Sequence, residues 1–109
     1  MPEPTLTEVF GGGATQTATT ITINKSDLPR LTASANNSAE SLLVGILLKA
    51  KIALSKNRFD ADIDQSIYID DAYPAFTFRG INNDQYRVDQ LTINLAKEDT
   101  SSAIDPDDY

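Results

Sequence analysis

The chain has no cysteine and no histidine, and its 109 residues include only eight aromatic side chains. Without cysteine there are no disulfides and no thiolate metal sites, the usual staples of a small secreted domain. That absence favours an intracellular origin or support from an assembly. Without histidine the chain lacks the usual general base near neutral pH and the commonest transition-metal ligand. Long apolar runs are missing too. The longest, Leu42 to Leu54, is interrupted by Lys49 and Lys51 and falls short of the roughly 20 residues a membrane span needs. The opening MPEPTLTEVF carries two acids and no apolar run, unlike a signal peptide. These features predict a soluble protein with no membrane partner.

What is present fits one modest domain. A hydrophobic fraction of 40% with 23% charged residues excludes global disorder. The net charge of −7 is unevenly spread. Residues 1–58 hold six bases against four acids, whereas residues 59–109 hold three bases against twelve acids. The second half repels phosphate backbones, so nucleic acid is not an expected partner. A basic protein surface would be attracted to it.

The organisation reads as an extended arm over 1–16, a core domain over 17–96 and an acidic tail over 97–109. Pro2 and Pro4 disfavour helix in the arm, and Gly11-Gly12-Gly13 suggests a flexible break. In the core, Thr17 to Asn24 alternates Thr with Ile as a strand does. Leu28 and Leu31 are expected core plugs. A helix is predicted from about Ser38 to Ser55, capped by Asn37 with Glu40 reaching back. Its polar residues Ser41, Gly45 and Lys49 form a thin stripe at four-residue steps, and apolar residues cover most of the rest. A helix with so narrow a polar side predicts burial on two sides, the second against a partner subunit.

Strands are expected at 66–69, at Ala75 to Arg79 and at Gln85 to Leu95, with Asn82-Asn83-Asp84 at a hairpin tip. The last strand mixes polar and apolar residues on both faces, which fits a bulge or a change of buried face midway. The predicted fold class is α+β: one helix on a small, mainly antiparallel sheet, in the order β-α-β-β-β, with extended arms at both ends.

Few residues carry chemistry. Asp60, Asp62 and Asp64 open like a calcium-binding EF-hand loop, with Asp71 at the closing place. Gln65, however, stands where the sharp turn wants glycine, and Pro74 forbids the exiting helix. An acidic strand edge that discourages aggregation is the simpler account. The serines and threonines have no histidine to activate them, and the glycine run lacks the Lys-Ser/Thr of a phosphate loop. No catalytic residue, cofactor or metal is expected. Tyr68, Phe76, Phe78 and Tyr86 fall in strands and suit core or cross-strand pairs. In the arms Leu6, Val9, Phe10 and Tyr109 have nothing of their own to pack on, so they are the expected anchors on a partner. Deleting residues 1–13 is accordingly expected to spare the fold and abolish binding.

The Gly/Thr-rich lead-in GGGATQTATTITI, the hairpin AFTFRGINNDQYRVDQLTINL and the Asp-rich terminus together resemble small accessory virion proteins of tailed phages, including those of cyanobacterial hosts. That resemblance implies a non-enzymatic role in capsid decoration (cement) or in the neck or tail. The partners it implies are capsid or tail proteins or further copies of the chain, and the location is the virion after synthesis in the host cytoplasm. The alternative is a small acidic inhibitor or DNA mimic, with Asp60, Asp62, Asp64, Asp70, Asp71 and the tail spread over one face.

Overall fold

The computed structural model describes residues 3–99 and 103–109. Thr5 opens the first element. Its hydroxyl accepts from the Glu8 N–H while the Glu8 carboxylate accepts from the Thr5 N–H, closing a capping box on the short helix α1, Leu6–Phe10. Gly11 ends α1 at φ 114°, a conformation that favours glycine. The glycine run is not a loose hinge. Ala14 donates to the Gly11 carbonyl, and Gly13 donates to the Asp27 carboxylate at 2.8 Å.

The strand expected over Thr17 to Asn24 folds back on itself instead. Thr17 Oγ1 accepts from the N–H groups of Thr19 and Thr20, so the chain reverses and pairs β1 (Thr15–Gln16) with β2 (Ile21–Thr22). Threonine hydroxyls that bond nearby backbone compete with an extended ladder, and alternation alone does not reveal it. A 3-10 turn at Lys25–Asp27 then delivers Leu28 into the interior, 5% exposed.

Ser38, not Asn37, caps the main helix α2, Ala39–Ala53, by accepting from the Ser41 N–H. The Asn37 side chain is occupied by the Ser34 N–H and the Thr32 carbonyl. A second serine, Ser55, caps the short helix α3, Lys56–Ala61.

The remaining strands form two separate antiparallel ladders among the described residues. β3 (Ile67–Asp71) pairs with β6 (Leu91–Leu95), Ile69 opposite Ile93. β4 (Ala75–Arg79) pairs with β5 (Asp84–Val88), Thr77 opposite Tyr86, across a turn with Gly80 and Asn83 at positive φ. The expected change within Gln85 to Leu95 falls at Asp89-Gln90. There the chain leaves β4 and joins β3, and the Gln90 carbonyl accepts from Ala72 N–H. The fold is α+β, one main helix with small antiparallel sheets and extended terminal stretches. The single sheet expected from the sequence is divided, among the described residues, into three two-stranded ones.

The core is small: Ala50, Leu54 and Ile69, with Val9, Ile67 and Leu91 packed around them. Ile69 N–H donates to the Leu54 carbonyl at 2.9 Å, fixing β3 to the end of α2. The Cα radius of gyration is 16.6 Å, against about 13 Å for a compact domain of this length. Accessible surface is 8202 Å², where a compact monomer of 11.9 kDa exposes about 5,900 Å². Among the described residues no helix is long and apolar enough to cross a membrane.

Candidate functional site

The helix α2 is turned over relative to its expected orientation. Gly45, expected to face water, is buried, and a Cβ there would lie 3.2 Å from Leu28. Lys49 is half-buried, its Nζ donating to the Glu8 carbonyl at 2.9 Å. Gly45 and Lys49 of the polar stripe thus face Leu28 and the chain's own α1, because a bare glycine lets Leu28 approach the helix axis, while Ser41 stays exposed. The larger side chains are displaced outward: Leu43, Val44 and Ile52 are 55%, 54% and 68% exposed.

Of these three, Val44 lines a groove of about 820 Å³ between α2 and the start of β6, whereas Leu43 and Ile52, nine residues apart, lie on opposite sides of the helix. Val44, Leu47, Leu48, Pro74, Leu91 and Ile93 make its apolar walls. Two carboxylates stand at its rim, each in an ion pair: Asp71 with Lys51 at 2.6 Å and Asp89 with Arg87 at 2.7 Å.

Beside the groove the β4–β5 hairpin stands apart, its strands making no extensive contact with any other element among the described residues. Its register puts Phe76 and Phe78 on one face and Tyr86 and Val88 on the other. All four are exposed. The Arg79 guanidinium lies 5.2 Å from the Tyr86 ring centroid, a cation–π contact that supports the hairpin tip. An isolated two-stranded hairpin is at best marginally stable, so apolar side chains on both faces ask for a covering surface. Of the four strand aromatics expected to form core or cross-strand pairs, only Tyr68 is half-buried, packed on Phe59 at 4.8 Å between centroids. The spacing of Phe76 and Phe78 against Tyr86 and Val88 carries the signal for a two-faced hairpin once the turn is placed.

The expected anchors lie elsewhere. Leu6, Val9, Phe10 and Tyr109 are all half-buried within the chain. Val9 packs on the core, and Phe10 and Tyr109 line one small cleft of about 200 Å³ with Leu54 and Ile67. The terminal rings do have something of their own to pack on: the amino- and carboxyl-terminal segments meet there.

The acidic residues of the calcium-loop resemblance lie on different elements. Asp60 lies within α3, paired with Lys56 at 3.1 Å, and Asp71 lies in β3, paired with Lys51. Asp62 is buried behind α3, its Oδ1 accepting from the Asp64 N–H. Among the described residues no three His, Cys, Asp or Glu side chains are placed to hold a metal. Gln65, at the place where the loop wanted glycine, is instead a structural pin. It is 2% exposed, and its Nε2 donates to the carbonyls of Ser55 and Ile67 at 3.0 and 2.9 Å.

The perturbed titrating groups belong to the scaffold. The Arg58 guanidinium, then the Thr5 backbone N–H and hydroxyl, hold the Glu8 carboxyl at about 2, well below the usual carboxylate value. Asp60 beside it pushes the Lys56 ammonium upward. Neither group lines the groove. Comparison with protein-family models, curated proteins and solved structures finds no match to this chain.

Proposed function

We propose that the chain is a non-enzymatic subunit of a protein assembly, binding its neighbours through the outward face of α2 and the β4–β5 hairpin. The assembly is a tailed-phage particle, where the chain serves as capsid cement or as a neck or tail component. One observation carries the protein-binding role: Val44, 54% exposed, lines an apolar groove with Leu47, Leu48, Leu91 and Ile93, beside a hairpin whose Phe76 and Phe78 are also exposed. Monomeric proteins rarely expose contiguous apolar patches of this kind. The chain exposes roughly 2,300 Å² more surface than a compact monomer of its mass. The phage setting rests on the sequence resemblance alone.

The acidic-inhibitor alternative needs a continuous face of available carboxylates. Asp60, Asp71, Asp89 and Asp108 are each bound to a cation of the chain itself, so that alternative lacks a supporting observation. The test is direct. Purified particles are analysed by mass spectrometry for the chain, and incorporation of Val44→Glu and Ile52→Glu is compared with wild type. The expected result is stoichiometric incorporation, lost in both variants although they fold. Absence of the chain from particles would refute the phage setting, and unimpaired incorporation of both variants would refute the α2 face.

A further inference from the structure

We infer that two copies of this chain pair edge to edge through β6, joining their β3–β6 ladders into one four-stranded sheet. This surface is distinct from the outward face of α2 and from the β4–β5 hairpin.

The bonds at the two ends of the ladder show which way β6 points. Ala96 N–H donates to the Ser66 carbonyl, and Ala72 N–H donates to the Gln90 carbonyl. Both bonds continue the β3–β6 register, so the even-numbered residues of β6 are the ones bonded to β3. The backbone groups of Leu91, Ile93 and Leu95 therefore point to the opposite edge. Among the described residues nothing bonds to them there. The outer edge of β3 is different. Its Ile69 N–H is taken by the Leu54 carbonyl, and its Ile67 carbonyl by Gln65 Nε2. The open edge of this sheet is β6.

Solitary proteins blunt such edges with a charge, a proline or a bulge. From Gln90 to Ala96 the sequence QLTINLA has no charged residue, no proline and no glycine, and Thr92, Ile93 and Leu95 are exposed. The strands of the β4–β5 hairpin, by contrast, carry Arg79, Asp84 and Arg87.

The pattern of the edge selects its own copy. Read in either direction, LTINL runs leucine, polar, isoleucine, polar, leucine. Antiparallel pairing centred on Ile93 sets Ile93 opposite its counterpart in the second copy, Leu91 opposite Leu95 and Thr92 opposite Asn94. These pairs match apolar with apolar and polar with polar, and they bring no like charges together. The outward N–H and C=O groups of Leu91, Ile93 and Leu95 then fall in the hydrogen-bonded pairs, so all of them are satisfied. The two-fold axis stands perpendicular to the sheet, which keeps Leu91 and Ile93 of both copies on the side that faces α2. The contact is isologous and leaves only the β3 edges outside, so growth stops at a dimer.

Light scattering and amide hydrogen exchange of the full chain test the pairing. The scattering mass is expected to be twice that of the chain. The amides of Leu91, Ile93 and Leu95 are expected to be protected in the dimer and to lose that protection on dilution. Ile93→Pro removes an N–H that β3 does not use, so the ladder keeps its bonds while the dimer is expected to be lost. Circular dichroism verifies that this variant folds; if it does not, the exchange pattern of the wild type decides alone. A monomer at the highest soluble concentration overturns the pairing. So does a dimer whose Leu91, Ile93 and Leu95 amides exchange as freely as in the monomer, or one that survives in folded Ile93→Pro.

Discussion

Arg58 and Glu8 meet at 2.8 Å across fifty residues of sequence, joining α3 to the helix at the amino terminus. Glu8 also caps α1, and its backbone carbonyl accepts from Lys49, so one residue ties three helices together. Its carboxyl is held at about 2 in the folded chain, against 4.5 ordinarily. A depressed carboxylate contributes stability that is complete above the ordinary value and is lost as pH falls from about 4.5 towards about 2. Thermal melts across that window are expected to show the wild type losing stability more steeply than Glu8→Gln. The two should differ at pH 7 and converge in acid. Parallel curves would remove Glu8 from the acid response.

Deleting residues 1–13 removes α1 and Val9, uncovering Ala50, Leu54 and Ile69. The expected outcome is loss of a cooperative thermal transition by circular dichroism, contrary to the dispensable arm expected from the sequence. A truncated chain that melts as sharply as the full chain would show that the arm is not part of the core.

Leu28 reaches α2 only because Gly45 leaves room for it. Leu28→Ala is expected to lower stability by about 3 kcal/mol, the cost of lost burial plus a cavity. Gly45→Val forces overlap at the same contact and is expected to cost about 2 kcal/mol. Urea denaturation measures both. A stable Gly45→Val would mean that the segment carrying Leu28 moves aside easily.

Gln65 satisfies two carbonyls with one amide. Replacing it by Leu leaves both without that donor in a buried place, expected to cost about 3 kcal/mol. Gln65→Glu places a carboxylate against the same two oxygens and should be worse. Equal stability of the Leu variant and wild type in urea would show that water supplies the missing donors.

Calcium is expected to leave the melting temperature unchanged, and so is a chelator, because the ion-pairing of Asp60 and Asp71 holds them on separate elements. A melting temperature that rises with calcium would reinstate the loop.

Local signals in the sequence carried a good part of this structure. The main helix, the hairpin turn around Asn83 and the break within Gln85 to Leu95 follow from a long apolar segment, left-handed turn residues and a change in side-chain alternation, although the helix cap is Ser38 and not the expected Asn37. These depend on neighbours within a few positions, and such interactions persist whatever the rest of the chain does. The strand expected at Thr17 to Asn24 failed for a reason equally local: the Thr17 hydroxyl satisfies backbone that a ladder would otherwise use.

The sequence by itself determined the α+β composition, the acidic imbalance, the absence of cysteine and histidine chemistry, and an excess of apolar surface on one helix. Which side of that helix turns outward was decided only in three dimensions. Polarity along α2 placed Ser41, Gly45 and Lys49 in water, yet packing placed Gly45 against Leu28 and Lys49 against the Glu8 carbonyl. Helix orientation depends on how closely distant segments can approach, and a missing side chain permits the closest approach of all. The same long-range closure drew Phe10 and Tyr109 into one cleft and left the β4–β5 hairpin bare on both faces.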